Sequence, residues 1–84
     1  MEKSFFLSIV TPLEVFYEGR AVSLIAPCAL GYLGVLADHA PLAANTIPGK
    51  ITVRRPDGDP VIIRAGGQGI LEVLKNNVTL LYFP

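Results

Sequence analysis

The single histidine, His39, stands beside Asp38 in the stretch GVLADHAPLAANTIPGK, and this pair is the first place to look for chemistry. A histidine oriented by a carboxylate is the usual base of nucleophilic catalysis. Adjacent residues on an extended chain point to opposite sides, however, so Asp38 is badly placed to hold the ring of His39. A triad also needs a nucleophile. Ser4, Ser8, Ser23, Thr11, Thr46, Thr52 and Thr79 all lie in strand-like or turn-like contexts, and none sits on a nucleophile-elbow sequence.

Cys28 is the only cysteine, so no internal disulfide can form. A zinc site would need two more ligands drawn from scattered carboxylates. Cys28 reads as a small buried or half-buried hydrophobe. The glycine clusters GYLG and GGQG invite phosphate-binding readings. The first lacks flanking helices and basic residues. The second would need a helix N-terminus after it, and ILEVLKNN reads as a strand entering a turn. Both are better read as bends where the backbone turns or approaches closely. The expectation is therefore no catalytic, cofactor-binding or metal-binding residue.

Composition points instead to a partner. Of 84 residues, 51% are hydrophobic and only 17% charged, against about 25% charged in typical soluble domains. Surplus apolar surface on a small domain marks an interface. Net charge is zero, and no basic cluster is dense enough for a nucleic-acid footprint. No apolar run approaches the ~20 residues that span a bilayer. The opening MEKSFFLSIVTP reads as a first strand, because its apolar run is too short for a signal peptide and no small-residue cleavage site follows. The reduced state of a lone thiol fits a reducing compartment.

The elements that would position these residues are strands. Short apolar runs are broken by Gly, Pro, Asn and Asp every few residues, which predicts a sandwich or barrel. In SFFLSIV, Phe5, Leu7 and Ile9 face one way and Phe6 and Ser8 the other. EVFYEG is read as ending at Gly19, and RAVSLIAP as a strand stopping at Pro27. CALGYLGVLADHAPL reads as irregular, with Tyr32 exposed between glycines, and PLAANTI as a possible single helical turn. Pro48-Gly49 reads as a type II turn. ITVRRPDGDPVIIR is a hairpin, and AGGQGILEVLKNNVTLLYF is a second one turning at Asn76-Asn77. The prediction for residues 1–84 is one all-β domain, a two-sheet antiparallel β-sandwich of about 8–10 short strands.

GYLGVLADHAPL, then PGKITV, then GGQGILEVLKNNVTLL, in this order and spacing, resemble the epsilon subunit of the F-type ATP synthase. LSIVTPLEVFYEGRAVSLIAP is similar to that family's opening strands, so the resemblance covers essentially the whole chain. It implies a non-catalytic β-sandwich domain on the rotor's central stalk, packed against the gamma subunit and seated on the c ring. It further implies a peripheral membrane protein on the cytoplasmic face of the bacterial inner membrane, coupled to proton or sodium flow. On this alignment Leu30, Gly31 and Tyr32 correspond to the loop that touches the c ring. Many relatives carry an acidic residue where Tyr32 stands, so an apolar or hydrogen-bonded contact is expected there instead. Thr11, His39 and Ala44 correspond to gamma-facing positions, with Ala40, Pro41 and Leu42 beside them. His39 is thus expected on the gamma-facing surface or buttressing its loop. Family members usually continue into two helices, which can extend along gamma and inhibit ATP hydrolysis, and in some members bind ATP. With the sequence ending at Pro84, no ATP binding is expected of this chain. The competing expectations are a small β-sandwich adaptor that binds a peptide or protein through an exposed edge and, behind it, a small β-fold enzyme built around His39.

Overall fold

In the computed structural model, residues 3–84 are described, and they form nine strands: β1 Phe5–Val10, β2 Val15–Ala21, β3 Ser23–Cys28, β4 Gly31–Leu36, β5 Leu42–Thr46, β6 Gly49–Arg54, β7 Pro60–Ala65, β8 Gly69–Leu74 and β9 Asn77–Tyr82. The hydrogen-bonded order is β2-β1-β9-β8-β5-β3-β6-β7, with β4 on the other edge of β3. β5 and β6 are nearly one strand. It crosses between layers, pairing β8 over residues 42–46 and β3 over residues 52–54. This gives a two-layer sandwich, β2-β1-β9-β8-β5 against β4-β3-β6-β7.

All pairings are antiparallel except β1 with β9, which run in parallel from Phe6↔Asn77 to Val10↔Leu81. A parallel pair cannot be closed by a hairpin. Here nearly the whole domain is the connection. The core follows the alternation read from the sequence: Phe5, Leu7 and Ile9 are fully buried, and Leu24, Ile51, Val53, Leu71, Val78 and Leu80 meet them from both layers. Burying such a side chain stabilises by roughly 1.5–3 kcal/mol each.

Five local readings change. β2 runs through Gly19, which pairs with Leu7 and adopts φ 154°, and the strand ends at Ala21. The stretch read as irregular contains β4, held by six register pairs to β3. The segment read as a helical turn is β5, because pairing with β8 outweighs the local preference of its alanines. Pro48-Gly49 is a kink between β5 and β6: Gly49 has φ 152°, far from the ~80° of a type II turn. A Cβ on Gly49 would lie 3.1 Å from Pro27 Cγ. The second hairpin turns one residue earlier than read, on Lys75 (φ 49°) and Asn76 (φ 62°), while Asn77 already pairs with Leu74. Two successive positive φ values are the type I′ geometry of two-residue hairpins.

The register sorts the connections into two ends. Residues 11–14, 29–30, 47–48 and 66–68 lie together at one end, where Glu14 is their only charge. The other end gathers residues 37–41, 55–59 and 75–76, with Asp38, Arg55, Asp57, Asp59 and Lys75.

Candidate functional site

At the end whose turns carry only Glu14 as a charge, the β3–β4 turn projects Leu30 fully into solvent, with Tyr32 64% exposed beside it. Gly31 makes the turn possible with φ 124°, a value that side chains rarely adopt. Leu13, Ile47 and Phe83 are also exposed around this end. β4 is an edge strand of one layer and β5 an edge strand of the other. Between them lies an open groove of about 400 Å³ lined by residues 28–33, Leu42, Ala44 and Asn45. Its walls are apolar, and burial pushes the Cys28 thiol up from its ordinary value.

This groove brings Leu30, Gly31 and Tyr32 together with Leu42 and Ala44. Leu42 and Leu33 pack against the core from within it. Leu33 escaped the sequence reading because GYLG hid a strand whose alternate residues turn inward. His39, Ala40 and Pro41 lie beyond the groove, in the β4–β5 connection at the charged end. Ala40 and Pro41 are exposed and His39 is partly covered.

Thr11 stands apart from His39. It follows Val10, whose partner is Leu81, whereas Asp38 bonds Asn76 beside the opposite end of the same strand pair. Five residues of strand separate them, roughly 16 Å. Thr11 is 8% exposed and works locally. Its Oγ1 accepts the N–H groups of Leu13 at 3.3 Å and Glu14 at 3.2 Å, and its N–H donates to Glu14 O at 2.9 Å. That closes the turn which Pro12 opens.

The His39–Asp38 pair does not form a dyad. Asp38 adopts φ 65°. Its Oδ1 accepts from Asn76 Nδ2 at 3.0 Å and its Oδ2 from Lys3 Nζ at 2.9 Å. These two contacts, Asn76 first, hold its carboxyl below the usual carboxylate range. His39 Nδ1 donates to Ala40 O at 2.7 Å. A carbonyl can only accept, so Nδ1 carries the proton, and in the neutral ring Nε2 is left as an acceptor. Among the described residues no three His, Cys, Asp or Glu side chains converge as metal ligands would.

The fold and this surface describe a small β-sandwich with an apolar seam and an exposed hydrophobic turn. Residues 4–82 match the family model described as ATP synthase, Delta/Epsilon chain, beta-sandwich domain, and the chain belongs to that family. It is 32% identical to the ATP synthase epsilon chain of Dichelobacter nodosus over 81 residues, 96% of this chain and 56% of that one. The Moorella thermoacetica epsilon chain is 40% identical over 75 residues, 89% and 55% respectively. The chain thus spans about half the length of the curated relatives it matches. A chain of the Euglena gracilis mitochondrial ATP synthase, in a structure of its OSCP, F1 and c-ring, superposes with a TM-score of 0.87 at 18% identity, covering 94% of this chain and 50% of that one. One from the central stalk and c-ring of the Tetrahymena thermophila mitochondrial enzyme gives 0.79 at 13% identity, covering 99% and 66%. At these identities the likeness establishes the fold.

Proposed function

We propose that this chain acts as a non-catalytic rotor module of an F-type ATP synthase, joining a gamma-type shaft subunit to the c ring and so coupling proton or sodium flow to ATP synthesis. The observation that carries it is the family match over residues 4–82, on a chain whose exposed turn and adjoining seam are apolar. In this reading Leu30, Gly31 and Tyr32 meet the ring. Leu42 and Ala44 in the seam, with His39, Ala40 and Pro41 beyond it, meet gamma. Thr11 contributes by shaping its turn. In this reading the chain sits at the cytoplasmic face of the bacterial inner membrane as a peripheral component. A closely packed sandwich suits the role, because packed interiors resist deformation under torque.

The test is co-purification with the organism's own gamma subunit and c ring, comparing the wild type with His39→Asp and Tyr32→Asp, each checked for folding by circular dichroism. Wild-type complex is expected, with gamma lost in the His39 variant and ring contact weakened in the Tyr32 variant. No complex with the folded wild type would overturn the proposal and leave the adaptor reading. Loss of gamma alone in Tyr32→Asp would reverse the assignment of the two surfaces.

A further inference from the structure

The β4–β5 connection is held by a device that the core does not need. Asp38 sits in the left-handed region, which is unfavourable for every residue with a Cβ though least so for Asp and Asn. A free loop would leave that conformation often. Asn76 prevents this with two reciprocal bonds: its Oδ1 accepts the Asp38 N–H at 2.7 Å, and its Nδ2 donates to Asp38 Oδ1 at 3.0 Å. Asn76 is itself a fixed post. It is the second residue of the β8–β9 turn, and its carbonyl oxygen accepts the Phe6 N–H at 2.9 Å, tying the turn to β1.

Downstream of the clamp the chain has little freedom left. His39 N–H donates to Leu36 O at 3.3 Å, the His39 ring donates to Ala40 O, and Pro41 has a fixed φ. Leu42 then enters β5. None of this buries apolar surface, and the side chain of Asp38 is 54% exposed in its ion pair with Lys3. Exposed polar pairs add little to fold stability. Their effect here is to hold one conformation of a loop, which lowers the ordering cost of a binding step.

We propose that Asp38 and Asn76 are a positioning pair that keeps the His39–Leu42 segment in its docking conformation; this rests on the gamma-facing reading of that segment. The pair touches the loop, and its effect on the partner passes through His39, Ala40 and Pro41.

The informative variant is Asn76→Gly, which keeps the positive φ of the turn and removes both side-chain bonds. Its affinity for gamma is expected to fall about tenfold as the docking-competent fraction shrinks, while its melting midpoint moves by no more than about 4 °C. The Asp38 amide should also exchange with solvent faster. Asp38→Asn retains an acceptor for Asn76 Nδ2 and the same backbone N–H, and loses only the ion pair with Lys3. It should bind within about twofold of wild type. Unchanged affinity in Asn76→Gly with the amide deprotected would overturn the inference. So would a loss of affinity that merely follows a collapse in melting temperature, or equal losses in Asp38→Asn and Asn76→Gly. If folded wild type fails to bind gamma at all, the functional reading falls and the inference falls with it; wild-type binding undiminished in Asn76→Gly sinks the inference alone.

Discussion

The two ends of the sandwich are built from different materials. At one end, four turns expose Leu13, Leu30, Ile47 and the neighbouring Tyr32 and Phe83, and their only charge is Glu14. Shape there is set by close backbone approach: a Cβ on Gly69 would lie 2.2 Å from Leu81 O and 2.8 Å from Tyr82 Cα. Phe16 tilts against Tyr82 with ring centroids 5.7 Å apart. At the other end the turns are held by hydrogen bonds and ions: Asp38 by Asn76 and Lys3, and Arg55 by contacts to Asp57 and Asp59. The apolar end offers area that gains by being covered. The polar end is satisfied in water, and its interest lies in the conformation it holds. The fold thus separates a surface suited to hydrophobic docking from one that holds a loop in a single conformation.

The sharpest way to break this contrast is with glycine. Gly69→Ala forces backbone apart at the apolar end and is expected to cost about 3 kcal/mol in urea denaturation. At the polar end Gly58, unlike Gly69, has a positive φ of 96°, with nothing within 4 Å of an added Cβ. Gly58→Ala should cost only about 1 kcal/mol, from backbone strain alone. Equal losses would mean that backbone conformation, not packing, governs both ends.

Thr46 gives an effect of opposite sign. Its Oγ1 is buried with no partner among the described residues. Thr46→Val removes that orphan hydroxyl at nearly constant volume and should stabilise the fold by about 1 kcal/mol in the same assay. A destabilised variant would reveal a partner for the hydroxyl, such as a bound water.

The ends should also respond to opposite extremes of pH. Asp38 has a carboxyl pKa lowered by Asn76 and Lys3. A group depressed in the folded state contributes stability above its unfolded pKa and loses it as pH falls through the folded value. Protonation of Asp38, below the ordinary carboxylate range, is therefore expected to release the Lys3 ion pair and weaken the bond from Asn76 Nδ2 while the bond from the Asp38 N–H stays in place, visible in the NMR shift of the Asp38 amide, with that step absent in Asp38→Asn. Tyr82, 3% exposed, has its pKa raised chiefly by burial and further by Glu14. Its contribution is present below the unfolded value near 10 and is lost as pH rises through the folded value. The apolar end should therefore loosen in alkali, and Tyr82→Phe should delay that loss.

The smallest effect falls on the most exposed residue. Leu30→Ser should leave stability within about 0.5 kcal/mol of wild type while reducing binding of a hydrophobic dye. A large loss of stability would mean that Leu30 packs in solution.

Much of the site was legible because its signals are local. Tyr32 between two glycines announced an exposed aromatic, and the order of HAPL, PGK and the glycine-to-asparagine hairpin pointed to the family. The clamp was not legible. Asp38 and Asn76 are 38 positions apart, and nothing in ADHAPL says that Asp38 turns to an asparagine on another hairpin. Thr11 was grouped with His39 by correspondence to relatives, and only the strand register shows that they occupy opposite ends.

The sequence by itself determined the class and the core. Period-two alternation sends Phe5, Leu7 and Ile9 inward whatever the topology, because a strand's side chains must alternate. Glycine, proline and asparagine marked most of the breaks for the same local reason. Tertiary structure alone decided that GYLGVL is an edge strand, that LAANT pairs with β8 instead of coiling, and that β1 lies parallel to β9. Those outcomes depend on which partner is available across the sheet. Strand pairing is a contact between distant segments, and its energy is written in neither segment alone.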